Sequence, residues 1–206
     1  MTNIVARFNA NLFSIVRSFV DVTYVAHSVI VEPHKSGKGV ILCALHPRRT
    51  LVVYDEEGFA SKAMYVRIAE YNDKICKETP TTVIEIHEGD DTGYIIDNGD
   101  VVSVQPKAIN HDDVYAWRNV VLESMQYFKL EEGVESGIIK LNGKSLNKFR
   151  KAAERLTGYP MVTIAKGRDS VACIRFDGYP NAFGLLAKIP IIDKGLGKAV
   201  LPSFMD

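Results

Sequence analysis

Residues 39–58, GVILCALHPRRTLVVYDEEG, contain the pattern that decides the fold. Two short apolar runs flank the turn His46-Pro47, and the polar stretch Asp55-Glu56-Glu57-Gly58 ends the second run. Runs of this length and composition, bounded by Pro, Gly and acidic residues, are typical of strands. The stretch therefore predicts two short strands joined by a tight turn.

Similar strand-and-turn patterns occur on both sides of this stretch. Upstream, a β-branched run within residues 20–39 ends at the breaker Lys35-Ser36-Gly37-Lys38-Gly39. Downstream, residues 81–106 predict three strands separated by turns at Asp91-Thr92-Gly93 and Asp97-Asn98-Gly99. Three more strands are predicted in residues 160–167, 171–177 and 182–193.

Helical periodicity appears between these groups of strands. Phe8, Leu12, Ile15 and Phe19 are spaced by four, three and four residues, which indicates one face of a helix. A second helix is predicted in the latter part of residues 63–78, and a third in residues 144–156. The order helix then strands, three times over, predicts an α+β protein of antiparallel sheets with helices on one face.

The charge composition of the chain limits how it could bind nucleic acid. The chain has 206 residues, with 25 Lys and Arg balanced by 25 Asp and Glu. It therefore has no global attraction for nucleic acid, and any DNA-binding role requires charge segregated onto one face.

The sequence predicts neither a disulfide framework nor a targeting signal. Cys43, Cys76 and Cys173 lie far apart with no C-x-x-C pair, which indicates free thiols in a reducing compartment. Residues 1–20 lack the uninterrupted apolar run of a signal peptide, and no segment is apolar enough to span a membrane. A cytoplasmic location and no membrane partner are expected.

Residues 141–156, LNGKSLNKFRKAAERL, carry the sharpest chemical pattern. An apolar stripe comprises Leu146, Phe149, Ala153 and Leu156, and a basic stripe comprises Lys144, Lys148, Lys151 and Arg155, with Arg150 adding charge. One interpretation is a helix lying against a phosphate backbone, with contacts that do not read sequence. The alternative is a solvated amphipathic face with no ligand.

Catalytic and cofactor motifs are not found. The sequence contains no nucleophile elbow, P-loop or dinucleotide-binding glycine pattern. Its acidic clusters coincide with predicted turns, so no metal and no cofactor are expected. The chain is therefore predicted not to be an enzyme. An alternative hypothesis is a small enzyme that pairs His34 or His46 with Asp55 as acid and base.

The order of these segments resembles that of the bacterial DNA polymerase III beta sliding clamp and its shorter phage- or prophage-type relatives. In that family a strand of pattern G-V-x-L-V-A-T-D-G-H-R-L-A-V leads into a D-x-E-G turn, which residues 39–52 and 55–58 resemble in register. Residues 114–121, VYAWRNVV, resemble the family's domain-closing F-P-D-W-R-R-V-I, and Leu141–Leu146 resembles the start of its basic helix. Residues 182–191 are similar to the strand that carries M-P-M-R.

The resemblance extends over roughly residues 8–192 as short, scattered matches, and it has two departures. Leu45-His46-Pro47 stands where the family has Thr-Asp-Gly, and Ala187-Lys188-Ile189-Pro190 replaces the Met-Pro-Met-Arg strand, while Arg49 and Trp117 are retained. In clamps both places line a hydrophobic pocket for partner peptides. The resemblance implies that such a pocket would comprise Leu45, Pro47, Arg49, Leu185, Ile189 and Ile191.

The resemblance also implies a function and an organisation. It implies a DNA-clamp-like fold and a replication accessory protein that gives processivity by contacting double-stranded DNA without sequence specificity. Expected partners are duplex DNA, a DNA polymerase or other replication proteins, and further copies in a homo-oligomer. One clamp-like domain is expected over residues 1–127 and a smaller or partial one over 128–206. The alternative is a clamp-fold interaction module or regulator with no DNA role.

Overall fold

The computed structural model describes residues 3–20, 28–68, 82–89, 93–96, 104–108, 119, 141–166 and 171–188. Two helices fall within these residues: α1, Ala10–Arg17, and α2, Gly143–Thr157. The strands are β1 Ile4–Asn9, β2 Val29–Pro33, β3 Val40–His46, β4 Arg49–Asp55, β5 Phe59–Ala60, β6 Met64–Ile68, β7 Val83–His87, β8 Gly93–Ile96, β9 Val104–Ala108, β10 Val162–Lys166, β11 Val171–Phe176 and β12 Ala182–Ala187.

All twelve strands belong to one antiparallel sheet. Its order is β10-β11-β12-β4-β3-β2-β6-β9-β8-β7-β1-β5. Strands that follow each other in sequence are mostly neighbours, while β4 pairs with β12 and β1 pairs with β7 across long connections. The predicted α+β class and its antiparallel sheet are confirmed.

The hairpin predicted in residues 39–58 is present. β3 and β4 pair without a break from Val40 opposite Asp55 to His46 opposite Arg49. Side chains alternate between the two sheet faces, so Leu42, Ala44 and Leu51 join the main core on the face that packs against the helices. We call this face the helix side.

The helix predicted from Phe8 to Phe19 is shorter at both ends, because Phe19 lies beyond the last helical residue, Arg17. Phe8 lies in β1 opposite Ile84 of β7, and helix α1 begins only at Ala10. Asn9 marks the change, because its side-chain oxygen accepts the backbone N–H of Leu12 at 3.0 Å. Phe8 matched the helical spacing by coincidence, since Ala6 and Phe8 also show the two-residue period of a strand with one buried face.

The core lies between the helices and the sheet. Phe149 of α2 is fully buried, with its ring centroid 4.7 Å from that of Phe19 and 6.4 Å from that of Phe176. Ala153 is buried beside it, and Leu146 and Leu156 pack against the same cluster half-buried. The apolar stripe predicted for this helix is therefore confirmed.

Several predictions fall outside the described residues. These include the helical part of 63–78 beyond Ile68, the turn at residues 97–99, the segment 114–121 apart from Asn119, and the boundary between residues 127 and 128. The division into two domains therefore stays a prediction. In the described part of the chain, no helix has the length and apolar character needed to cross a membrane.

Candidate nucleic-acid interface

Helix α2 positions the basic residues, and its ends are set by local sequence. At its start, the side chain of Asn142 accepts the backbone N–H of Ser145 at 3.1 Å. At its end, Gly158 adopts a left-handed conformation with φ of 81°, and its N–H bonds to the carbonyl of Glu154. The predicted helix over residues 144–156 is confirmed with one extra residue at each end.

The four basic stripe residues remain on one side of α2. At 3.6 residues per turn, Lys144, Lys148, Lys151 and Arg155 fall within an arc of about 60°. Lys144 and Lys151 are exposed, whereas Lys148 and Arg155 are partly buried. The stripe runs along the edge of α2 that borders helix α1.

Two members of the stripe contact α1. The guanidinium of Arg155 donates to Oδ1 of Asn11 at 2.6 Å and approaches Oγ of the buried Ser14 at 3.4 Å. The ammonium of Lys148 donates to the backbone carbonyl of Ser18, just beyond the end of α1. These two cations therefore join the helices, a role that spacing within one helix does not predict.

Arg150 lies at the other edge of the exposed surface. Its Nε donates to Oδ1 of Asn147 at 3.0 Å, and its guanidinium lies 3.9 Å from the carboxylate of Glu154. Its positive charge is thus partly offset on the helix itself. The exposed cations that remain on the stripe are Lys144 and Lys151.

A cleft of 470 Å³ lies between the tip of the β3–β4 hairpin and the start of α2. The hairpin contributes His46, Pro47, Arg48 and Arg49 to its lining. The helix start contributes Asn142, Lys144 and Ser145. We call this feature the hairpin–helix cleft; it combines Lys144 with two residues predicted for the partner-peptide pocket.

The predicted partner-peptide pocket is divided between two faces of the sheet. Pro47 and Arg49 line the hairpin–helix cleft, on the helix side. Leu45 and Leu185 both lie opposite Thr50 in the sheet, so their side chains point to the other face. Leu45 is 38% exposed there, whereas Leu185 is buried against Ile30, Cys43 and Val52. Ile189 and Ile191 fall outside the described residues.

Comparison with solved structures gives one consistent result. The chain superposes on the DNA polymerase III beta subunit of Thermotoga maritima with a TM-score of 0.60 and 11% identity, covering 97% of this chain and 66% of that one. The Helicobacter pylori beta clamp bound to a DNA ligase peptide gives 0.59 and 9%, covering 93% and 67%. The beta subunit of Borrelia burgdorferi gives 0.57 and 10%, covering 90% and 64%.

This chain has the sliding-clamp fold. It spans about two thirds of the length of these clamps. No profile of a known protein family matches the sequence. No curated protein sequence matches it either.

Within this clamp fold, Asp55 ties the hairpin to the start of α1. The carboxylate of Asp55 is buried and accepts the backbone N–H of Asn9 at 2.7 Å. Burial raises the pKa of Asp55 above its ordinary value of 3.8, although backbone hydrogen bonds from Asn9, Glu57 and Gly58 oppose that rise. Among the described residues, no group of three or more potential metal ligands occurs. The hydrogen bond from Asn9 joins Asp55, at the end of β4, to the residue that precedes α1.

The raised pKa of Asp55 predicts a pH dependence of stability. The folded state binds the proton more tightly than the unfolded state, so the free energy of unfolding rises as pH falls through the raised pKa towards 3.8. We expect Asp55→Asn to lack this contribution. Urea unfolding followed by circular dichroism across pH 3.5–7 should show the wild type gaining stability relative to Asp55→Asn on acidification. A constant or opposite difference would contradict the prediction.

The structure separates the acid–base pairs of the enzyme hypothesis. His46 and Asp55 lie at opposite ends of the β3–β4 ladder, six residue steps or about 20 Å apart. The ring of His34 packs on Tyr54, whose side chain alternates to the sheet face opposite that of Asp55. Neither histidine can share a proton with Asp55, so the proposed pairing is wrong.

Proposed function

We propose that this chain is a sliding-clamp-like accessory protein of DNA replication that contacts the phosphates of duplex DNA without reading sequence. The observation that carries the proposal is the placement of Lys144 and Lys151, two exposed cations on the helix side of a clamp fold. Such contacts do not depend on the base sequence, because the phosphate groups are the same at every base pair. The protein can therefore exchange one phosphate for the next.

The neutral net charge agrees with this proposal. With 25 cations and 25 anions, the chain has no global field to hold DNA tightly. A protein that stays on DNA by surrounding it needs only a few local contacts. We propose that several copies join into such a ring, with the chain acting inside the cell and assembling with polymerase or other replication proteins.

The helix residues divide into two roles under this proposal. Lys144 and Lys151, with Arg150 at a more distant edge, face the phosphates. Lys148 and Arg155 hold α2 against α1 through Ser18 and Asn11, and so keep the exposed cations in place. Lys148 and Arg155 could contact DNA only by giving up their hydrogen bonds to Ser18 and Asn11.

The salt dependence of DNA binding tests the proposal. We expect Lys144→Gln/Lys151→Gln to weaken binding to duplex DNA and to reduce the slope of log K against log salt by about 0.9 for each lost phosphate contact. Fluorescence anisotropy with two unrelated duplexes should give the same loss for both sequences.

The matched control removes the same charge elsewhere. Lys35→Gln/Lys38→Gln alters two exposed lysines in the turn between β2 and β3, at the far end of β3 from the cleft. This control should retain the wild-type slope. Equal losses in both double variants would show a general charge effect and would refute the assignment of the interface to α2.

A clamp-fold interaction module with no DNA role is the second candidate. It is favoured by the engagement of Lys148 and Arg155 in the contact between helices, which removes two of five predicted DNA-binding side chains from the exposed stripe. Wild-type protein that fails to bind duplex DNA even at low salt, while remaining folded, would select this candidate.

A further inference from the structure

We infer that the hairpin–helix cleft binds a backbone phosphate of duplex DNA and so extends the contact surface from α2 onto the β3–β4 hairpin. This inference rests on the proposed function, because it takes DNA as the source of the phosphate. It adds Arg48 and Arg49, which belong to a separate element from the basic helix.

The charge of the cleft points to an anion. Arg48, Arg49 and Lys144 line it, and none of the described lining residues is acidic. The chain as a whole has equal numbers of acidic and basic residues, so three cations around one cleft represent local segregation of charge. Like charges brought together in this way repel each other, and a bound phosphate would relieve that repulsion.

Lys144 lies in the first turn of α2. The N-terminal end of a helix carries a partial positive charge and favours acidic side chains. The first turn of α2 contains no acidic residue and instead carries Lys144. This arrangement costs the helix some stability, whereas an anion in the cleft would interact favourably with both the lysine and the helix end.

The polar groups of the cleft suit a phosphate. Nδ1 of His46 accepts the backbone N–H of Arg48 at 2.9 Å, so the neutral ring carries its proton on Nε2 and is a donor there. Arginine guanidinium groups match the geometry of two phosphate oxygens. The Arg48 side chain is exposed at the hairpin tip and is able to reach a ligand without rearrangement of the sheet.

The geometry favours a phosphate over an apolar peptide. Near the hairpin tip, Leu45 and Leu185 point to the opposite sheet face, and Leu186, opposite Arg49, is fully buried in the main core. The cleft itself is lined by charged and polar side chains with Pro47 as its apolar member. The cleft includes Lys144, the first residue of the basic stripe, so the stripe begins at the cleft and continues along α2.

Two measurements on the full chain test the inference. Arg48→Gln is compared with Lys38→Gln, which removes one exposed charge from the turn at the other end of β3. First, we expect Arg48→Gln to weaken duplex binding about tenfold and to reduce the salt slope by about 0.9, while Lys38→Gln matches the wild type. Second, sodium pyrophosphate titrated into labelled protein should shift the amide resonances of Arg48, Arg49 and Lys144 in the wild type and in Lys38→Gln, and much less in Arg48→Gln.

The outcomes separate the cleft from the proposed function. Loss of DNA affinity in Arg48→Gln together with Arg48-dependent pyrophosphate shifts supports the inference. Wild-type behaviour of Arg48→Gln in both measurements overturns it, and the proposed function stands if Lys144→Gln/Lys151→Gln still weakens DNA binding. Pyrophosphate shifts without any DNA binding by the wild type overturn both the DNA source of the phosphate and the proposed function.

Discussion

Phe149→Ala should lower the free energy of unfolding by about 3–5 kcal/mol, the loss typical of a fully buried aromatic side chain. The ring of Phe149 is the largest side chain through which α2 contacts the core, where it packs edge-on to Phe19 and near Phe176. Its removal leaves a cavity between the helix and the sheet, because the backbone of the sheet cannot collapse to fill it. Urea unfolding followed by circular dichroism measures the change.

An aromatic residue just beyond the end of the same helix supplies the control. Tyr159 is 70% exposed, so Tyr159→Ala should change stability by less than about 0.5 kcal/mol. If the two alanine variants lost similar stability, α2 would not be anchored through Phe149. The anchor matters for function, since it holds Lys144 and Lys151 at fixed positions on the helix side.

Much of the local structure follows from the sequence, because one short-range signal dominates in each case. The β3–β4 hairpin combines apolar runs with a proline-containing turn, and both signals agree. Helix α2 has a capping Asn142, a closing Gly158 and two well-separated stripes. Such agreement among local preferences is what makes an element predictable.

Contacts between distant segments do not follow from these local signals. Nothing in residues 141–156 indicates that Lys148 and Arg155 would meet Ser18 and Asn11, because helical spacing describes a face and not its neighbour. The hairpin–helix cleft is a similar case, since it joins the tip of an early hairpin to the start of a late helix. The pairing of Leu185 with Thr50 likewise depends on β12 joining β4, whereas the pairing of Leu45 with Thr50 belongs to the local β3–β4 hairpin.

The start of the chain shows why a helical spacing can mislead. A residue in a strand contributes to the same core as a helix that follows it, so Phe8 and Phe13 stack with ring centroids 5.3 Å apart although they belong to different elements. The spacing of four between Phe8 and Leu12 was therefore satisfied without a helical turn. The capping side chain of Asn9 is the local signal that places the boundary between β1 and α1.

Gly184→Ala should lower the free energy of unfolding by about 1–3 kcal/mol, as overpacking does in a filled core. Gly184 lies in β12 directly beneath Phe149, and an added Cβ would overlap Cε1 of that ring and lie 2.9 Å from its Cδ1. The ring is fully buried against Phe19, so it has no open space into which to move. Thermal and urea unfolding of the variant measure the loss.

A double-mutant cycle with Phe149→Leu makes this prediction specific. The smaller leucine should accept the new methyl group, so the double variant should be more stable than the sum of the single losses by about 0.5–3 kcal/mol. Gly143→Ala is the matched control, because nothing lies within 4 Å of a Cβ at that position and its φ is not positive. Strict additivity in the cycle would mean that Gly184 and Phe149 do not touch. It would contradict the close approach of α2 to β12, on which the position of the basic stripe depends.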